Sequence, residues 1–330
     1  MNTLRCHNCH CELEYDEAVE FMGEYYCSDC LDDITVVCAR CGQRVFNGDS
    51  FVDDEDEDYA YCYDCYHRQK YIHSYHYKPE PIFYGDGSRY FGVELEVDGA
   101  GESHSNAKAV CEIANSSSEV LYCKHDGSLN DGFELVTHPM TLDFHHQKMP
   151  WQDILMKLKQ MGYYSHQAST CGLHCHINRT AFGEDEAEQD EVIARILYFF
   201  EKHWEELLKF SRRTKSQLDR WAARYGYDES PKEILNCAKG GLGRYTCINL
   251  TNRNTIEFRM FRGTLKYNTL IATLQLINRI CDVALFLSDE ELKDMSWTTF
   301  VIGCTQPELI QYLKERRLYV NEVVESEVDL

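Results

Sequence analysis

Long apolar runs are missing from this chain of 330 residues. No stretch approaches a membrane span, and the opening Met1-Asn-Thr-Leu-Arg-Cys6 lacks the apolar core of a signal peptide. A soluble, cytoplasmic protein is expected. Positive charge is also scarce: 33 Lys and Arg stand against 55 Asp and Glu, a formal net charge of -22 with a sequence pI near 5.0. That balance disfavours nucleic acid and anionic membranes as partners. Glycine-rich phosphate loops are absent: there is no Walker sequence, and no dinucleotide fingerprint follows a strand. A nucleotide would have to be held by metal and arginine instead. Strand and helix signals do not alternate regularly, which argues against a doubly wound parallel sheet.

Cysteine, by contrast, is abundant. Of 17 cysteines, nine fall before residue 66, eight of them in four Cys-x2-Cys pairs: Cys6 and Cys9, Cys27 and Cys30, Cys38 and Cys41, Cys62 and Cys65. With no signal peptide, paired spacing points to metal rather than disulfides, because two thiolates on one tight turn reach the same tetrahedral zinc. Eight ligands suit two structural zinc ions, the first pair joining the second and the third joining the fourth. The arrangement resembles the paired zinc modules of LIM-type domains, with a longer spacer between Cys30 and Cys38. His7, His10, Cys11 and His67 read as surface residues. A segment this small has little core, so metal supplies much of its folding free energy. Residues 1–80 hold 18 acidic and 6 basic side chains, so a protein or a neighbouring domain is the expected partner of this module.

The acidic run 53–58 reads as a solvated loop and residues 71–89, with Pro79, Pro81, Gly85 and Gly87, as a linker. Beyond it, three stretches alternate as half-buried strands do. Phe91-Gly-Val-Glu-Leu-Glu-Val97 puts Glu94 and Glu96 on one face, with Val93 and Leu95 opposite. Gly172-Leu-His-Cys-His-Ile-Asn178 pairs His174 with His176. Thr255-Ile-Glu-Phe-Arg-Met-Phe-Arg-Gly-Thr264 pairs Glu257 with Arg259. An ordinary solvated face mixes Thr, Ser, Lys and Gln, whereas these positions hold only Glu, His and Arg. Turn chemistry at 126–132 precedes a strand that begins with Glu134. A strand over 242–250 carries Arg244 and Asn249 and returns through a hairpin at 251–254. Helical spacing is found over 105–115, 151–161, 185–210 and 265–287. The cluster Arg212, Arg213 and Lys215 reads as a solvated helix end, and the acidic end after Asn321 as frayed. The fold class is α+β, an antiparallel sheet backed by helices.

Carboxylates in this number cannot share a dry site without a cation, since like charges raise one another's pKa. Oxygen-rich ligation with few histidines favours Mg²⁺ or Mn²⁺, and neighbouring arginines suit phosphate. On this reading Glu257→Gln relieves repulsion in the metal-free domain.

The motifs FGVELEVD, DGSLNDGFELVTHP, CGLHCHIN, GRYTCINL and TIEFRMFRGT, in this order over about 90–288, closely resemble the amidoligase branch of the glutamine synthetase and γ-glutamylcysteine ligase superfamily. The resemblance implies a curved antiparallel sheet that binds ATP with Mg²⁺ or Mn²⁺, phosphorylates a substrate carboxylate and lets an amine displace the phosphate. By motif, Glu94, Glu96, Glu134, His174 and Glu257 would be metal ligands. His176 would lie near the transferring phosphate, and Arg244, Arg259 and Arg262 would bind phosphate. Arg262 breaks the alternation of its strand and needs a bend at Gly263 to turn inward. Asp126 and Ser128 belong to a loop that would contact substrate, a carboxylate and an amine carried by an amino acid, peptide or protein. The implied organisation is a zinc module over 1–70, the linker, a catalytic domain over 90–288 and a C-terminal helical segment with an acidic tail over 289–330. Two other readings remain: a non-catalytic zinc adaptor with a degenerate ligase fold, and a metal-dependent hydrolase.

Overall fold

The structure, a computed structural model, describes residues 4–53, 56–67, 71–226, 228, 230–240 and 243–319. The residues after Tyr319, Asp54, Glu55, and the side chains of 53–58 and of His67 lie outside the described set; of the acidic run expected as a loop, residues 53 and 56–58 are extended in strands. The chain divides into two compact units, Met1–Lys70 and Tyr71–Leu330.

The first unit repeats one pattern twice. Leu4–Arg5 pairs with Glu12–Leu13, Val19–Phe21 with Glu24–Tyr26, and the helix Ser28–Ile34 follows. Thr35–Val37 then pairs with Arg44–Phe46, Phe51–Asp53 with Asp56–Tyr61, and the helix Tyr63–His67 follows. Turn hydrogen bonds recur in step: Cys6 N donates to Cys11 O as Cys38 N does to Gln43 O, and His10 N donates to Cys6 O as Gly42 N does to Cys38 O. Each half has only a small core, Cys6, Leu13, Tyr26 and Leu31 in one and Cys38, Val45, Cys62 and Cys65 in the other. That is too little apolar burial to hold either half without further ties.

In the second unit the described residues form a seven-stranded sheet. Its order is Ile248–Asn249, Thr255–Arg262, Gly172–Asn178, Phe91–Asp98, Gly132–Thr137, Leu121–Lys124, Ile72–His73. Five pairings are antiparallel as expected; the last, between Leu121–Lys124 and Ile72–His73, is parallel, so the sheet is mixed. Residues 71–89 are therefore part of this unit rather than a linker. Ile72 is buried in its core, Tyr84 N donates to Pro139 O, and Arg89 pairs with Asp282 at 2.6 Å. The C-terminal helix Pro307–Glu315 belongs here too, burying Leu309, Tyr312 and Leu313 in the same core.

One face of the sheet is apolar, with Phe91, Val93, Leu95, Leu173, Cys175, Ile256 and Phe258 fully buried. Helices cover it; Phe200 of Glu186–Lys202 meets Phe258 with ring centroids 5.6 Å apart. The helix expected over 185–210 breaks at His203 (φ -106°, ψ 32°) into Glu186–Lys202 and Trp204–Ser211. Only Ile248 and Asn249 of the strand expected over 242–250 are extended in the sheet, and Leu242 lies outside the described residues. The helix Tyr267–Phe286 is long and apolar enough to cross a membrane by length and composition, which corrects the expectation that no stretch approaches a span; most of it is buried as the central core helix.

Candidate active site and metal centres

Register across the sheet decides which side chains meet. Glu94 stands opposite His174, Glu96 opposite Glu134, Lys124 opposite Glu134, and His176 and Asn249 opposite Glu257. The polar positions of six strands therefore line up on the face away from the helices, in a cleft of about 1130 Å³. Glu96, Glu134, His174 and Glu257 are each about 95 % buried.

Three groups have ligand atoms within 4.8 Å of one another: Glu94, Glu134 and His174; Glu94, His176 and Glu257; Glu96, Asp126 and Glu134. They share Glu94 and Glu134, as ligands bridging neighbouring cations would. His174 Nδ1 is 3.4 Å from Glu94 Oε2, and His176 Nε2 is 3.1 Å from Glu94 Oε1 yet makes no hydrogen bond. A buried nitrogen with that environment fits a cation better than it fits a proton donor. Carboxylate-rich sets of this kind suit Mg²⁺ or Mn²⁺. His176 thus groups with the ligand candidates, and Asp126 joins two carboxylates rather than standing apart as a substrate contact. Ser128 lines the cleft and its N donates to Asp126 Oδ1 at 2.7 Å.

The charges are far from balanced. Burial pushes the Glu134 carboxyl well up, and Glu94 and Glu96 push it further, against the pull of Lys124. Burial likewise raises Glu96. At Glu94 burial is outweighed by His176 and His174, which hold it well below the usual carboxylate range. Burial and then His176 act in the same opposed way on Glu257, which is left lowered. His176 is raised, Glu94 and Glu257 overcoming its burial.

Neighbours hold these groups in place. Asn249 Nδ2 donates to Glu257 Oε2 at 2.7 Å and Arg259 pairs with Glu257 Oε1. Asp98, also buried, accepts from Gly99 N, Asn130 N, Asp131 N and Thr170 Oγ1, which fixes the loop carrying Asp126. That loop ends at Gly132, where a Cβ would come within 1.9 Å of Val97 O, so only glycine lets the two strands close there.

The arginines divide. Arg259 lines the cleft, and its Nε is buried without a partner among the described residues. Arg244 is exposed at the rim, donating to the Tyr75 and Tyr245 hydroxyls. Arg262 does reach the polar face, by a bulge rather than by a bend at Gly263: Leu173 pairs with Phe261 and Cys175 with Phe258, so one extra residue re-phases the strand. It lies outside the cleft and donates to Arg212 O. Arg213, read from the sequence as a solvated helix end, is 93 % buried and lines the cleft. A Cβ on Gly172 would stand 2.8 Å from its Nη2 and 2.5 Å from His174 Nε2. Lys124, also missed, is buried in the cleft with Nζ 5.5 Å from the Tyr75 ring centroid. The signal in the sequence was its strand parity with Tyr122, which also lines the cleft.

In the first unit Cys38, Cys41, Cys62 and Cys65 form a group within 4.8 Å, and Cys6, Cys9, Cys11 and Cys27 form another. Cys9 and Cys27 are 3.9 Å apart and Cys41 and Cys62 3.8 Å. Zinc–sulfur bonds of about 2.3 Å give a tetrahedral edge of about 3.8 Å, so the donors fit zinc. Cys30 is missing from the first group and Cys11 stands in it, 3.3 Å from Cys9. The internal repeat sets Cys11 against Gln43 and Cys30 against Cys65, which leaves Cys30 as the matching ligand and Cys11 as a fifth thiol.

Among curated proteins no sequence matches significantly. Solved structures that match this one in part include a bifunctional glutathione synthetase from Pasteurella multocida, with 13% identity over 69% of this chain and 46% of that one at a TM-score of 0.39. Another is the complex between the prokaryotic ubiquitin-like protein Pup and its ligase PafA, with 10% identity over 69% and 56% at a TM-score of 0.30. The chain spans about half the length of these proteins. A family profile described as a putative amidoligase enzyme matches residues 112–281, which takes in Glu134, both histidines, Glu257 and Arg259 but begins after Glu94 and Glu96. As the match covers more than half of its residues, the chain belongs to this family of putative amidoligase enzymes.

Proposed function

We propose that the chain is an ATP-dependent ligase that joins a carboxylate to an amine through an acyl phosphate. One observation carries the reading: three carboxylate and histidine groups share members along one row of the sheet, with the partly buried Arg259 and the buried Arg213 beside them. Glu94, Glu96, Glu134, His174 and Glu257 would hold Mg²⁺ or Mn²⁺, with His176 and Asp126 close enough to join them. When bound, these cations neutralise the phosphate chain and polarise the phosphorus that is transferred.

The chain's own residues do the rest. Arg259 keeps an unpaired buried donor for a phosphate oxygen, and Arg244 closes the rim from a position that Tyr75 and Tyr245 fix. His176, beside Glu94 and Glu257, would add a neutral imidazole ligand where the cations meet the transferring phosphate. Asn249 orients Glu257. A carboxylate oxygen attacks the γ-phosphorus and ADP leaves; the amine then attacks the acyl carbon, loses a proton, and phosphate departs with the carboxylate oxygen. The zinc module, with two structural Zn²⁺ ions and an acidic surface, would serve a protein partner or substrate.

The test is turnover of purified protein against a panel of carboxylates and amines. ADP and phosphate should form only with a suitable carboxylate, hydroxylamine should capture a hydroxamate, and ¹⁸O from the carboxylate should reach phosphate. Release of AMP and pyrophosphate, or ¹⁸O that never reaches phosphate, would refute the mechanism. Substrate cleavage without nucleotide would establish a hydrolase, and failure to bind nucleotide an adaptor.

A further inference from the structure

Away from the cleft, the loop after Tyr163, the end of the helix Trp204–Ser211 and the end of the helix Pro307–Glu315 converge on an open hollow of about 660 Å³. Its walls carry Lys209, Arg212, Arg213, Arg316 and His166, and one acid, Glu205. In a chain of net charge -22 such a convergence should be neutralised by carboxylates. It is not. Among the described residues no Asp or Glu oxygen lies within 4.0 Å of the charged nitrogens of Lys209, Arg212, Arg213, Arg262 or Arg316. They donate instead to backbone carbonyls: Arg316 to Lys209 O at 2.8 Å, Arg262 to Arg212 O at 3.3 Å, Arg213 to Phe261 O at 3.3 Å.

A solvated basic surface would let these charges spread apart, and three observations speak against that. Arg213 is 93 % buried and cannot turn to water. Arg212 takes the left-handed position that ends the helix Trp204–Ser211 (φ 63°), so its backbone is fixed by the helix terminus. His166 Nδ1 and Arg262 Nε are buried with no partner among the described residues. His166 is held down to about 4 by burial and by Arg212, Arg262, Lys266 and Arg316, so its ring is neutral at physiological pH and adds no further charge.

We propose that this hollow binds a compact polyanion, a phosphate or a clustered carboxylate. The site is distinct from the row of acidic ligands and adjoins it only through Arg213, which lines both. A doubly or triply charged oxyanion would accept from several guanidinium groups at once and remove their mutual repulsion. The inference does not depend on the ligase reading, since of its residues only Arg213 also borders the acidic row.

Titration calorimetry of the full chain with inorganic phosphate and with citrate, at constant ionic strength, tests it. Saturable one-to-one binding of either probe is expected; preference for phosphate identifies a phosphoryl ligand and preference for citrate a polycarboxylate. Arg212→Gly removes a charge while suiting the left-handed backbone, so the fold is retained, and it should weaken binding at least tenfold. Lys209→Gln, at an exposed position, should weaken it severalfold. The double variant Arg244→Gln with Arg259→Gln, both in the cleft, should bind the probe as the natural chain does. Heat that never saturates, undiminished affinity in Arg212→Gly, or binding lost only in the cleft variant would each overturn the proposal.

Discussion

Glu134 and Glu257 lie in one row yet should respond oppositely to loss of charge when no divalent cation is bound. Glu134 is within 4.8 Å of ligand oxygens of both Glu94 and Glu96. At an effective dielectric of about 20, one like-charged contact at that distance costs about 3.5 kcal/mol if both groups ionise. Glu134 escapes most of it by keeping its proton, which is why its pKa is raised. A raised carboxyl contributes stability that is full below its unfolded value and lost as pH rises through the folded one. Glu96 and His176, also raised, act in the same direction. These groups therefore cost metal-free protein stability as pH rises, the two carboxyls from about 4.5 and His176 from about 6.5, and the net loss shows above 6.5, where the histidines held low by burial no longer titrate. Glu134→Gln removes part of that slope and should gain about 1 kcal/mol at pH 8, the remainder being offset by the Lys124 charge it leaves behind. Glu257 is the reverse case, lowered and paired with Arg259 and Asn249. Glu257→Gln leaves a partly buried guanidinium uncompensated and should cost about 1–2 kcal/mol, opposite in sign to the relief of repulsion expected from the sequence.

All four tryptophans, at 151, 204, 221 and 297, are in the second unit, so their fluorescence reports its melting alone. The protein should be dialysed against buffer free of Mg²⁺ and Mn²⁺ but without a strong chelator, so that zinc stays in the first unit. For a unit of this size 1 kcal/mol moves Tm by about 2–4 °C. Adding Mn²⁺ should then raise the natural chain's Tm more than either variant's. A Glu257→Gln protein that melts higher than the natural chain without metal, or a Glu134→Gln protein that melts much lower, would refute the electrostatic account.

Dialysed protein should carry close to two zinc ions per chain. Cys27→Ser should lose one, whereas Cys11→Ser or Cys30→Ser alone should keep both because five thiols serve four positions, and metal analysis decides. Stability should also fall as pH drops from about 6.5 to 4: His145 and His203 are each held near 4 by burial, so the unfolded chain takes up their protons first. For His145, whose Nδ1 accepts from Trp151 and so cannot be protonated without breaking that bond, the loss is about 3 kcal/mol, visible as an earlier urea midpoint at pH 5 than at pH 7. Gly172→Ala should displace Arg213 or His174, lowering Mn²⁺ affinity at least tenfold in calorimetry with little change in secondary structure.

Alternation made the three ligand strands legible, because each buries every second residue against the helices and nothing interrupts that rhythm near Glu94, His174 or Glu257. Two kinds of feature escaped it. Arg213 sits in a turn, where burial is set by what passes over it, here the bare Cα of Gly172, and no periodicity records that. Residues 71–89 look like a linker because Pro79, Pro81, Gly85 and Gly87 interrupt aromatics and histidines with no sustained period, yet a two-residue strand suffices to complete the sheet at Ile72 and His73. The partners of Asp126 depend on how Asp98 folds the preceding loop, a long-range tie of 32 residues to Asn130. Symmetry between the halves of the first unit was hidden because it resides in hairpins and turn hydrogen bonds, with few shared side chains beyond the cysteines.

The extra residue opposite His174 also bears on how such strands are recognised. Glu257, Arg259 and Arg262 share a face although the last two are separated by an odd interval. A pattern written for a regular strand would demand arginine at 261 and reject this chain, and deleting Met260 would remove the bulge while leaving Arg262 on the polar face. For chains built on this strand, Glu-x-Arg-x-x-Arg is the spelling to search for, and a single-residue gap in an alignment there marks the loss of the bulge rather than a change of face.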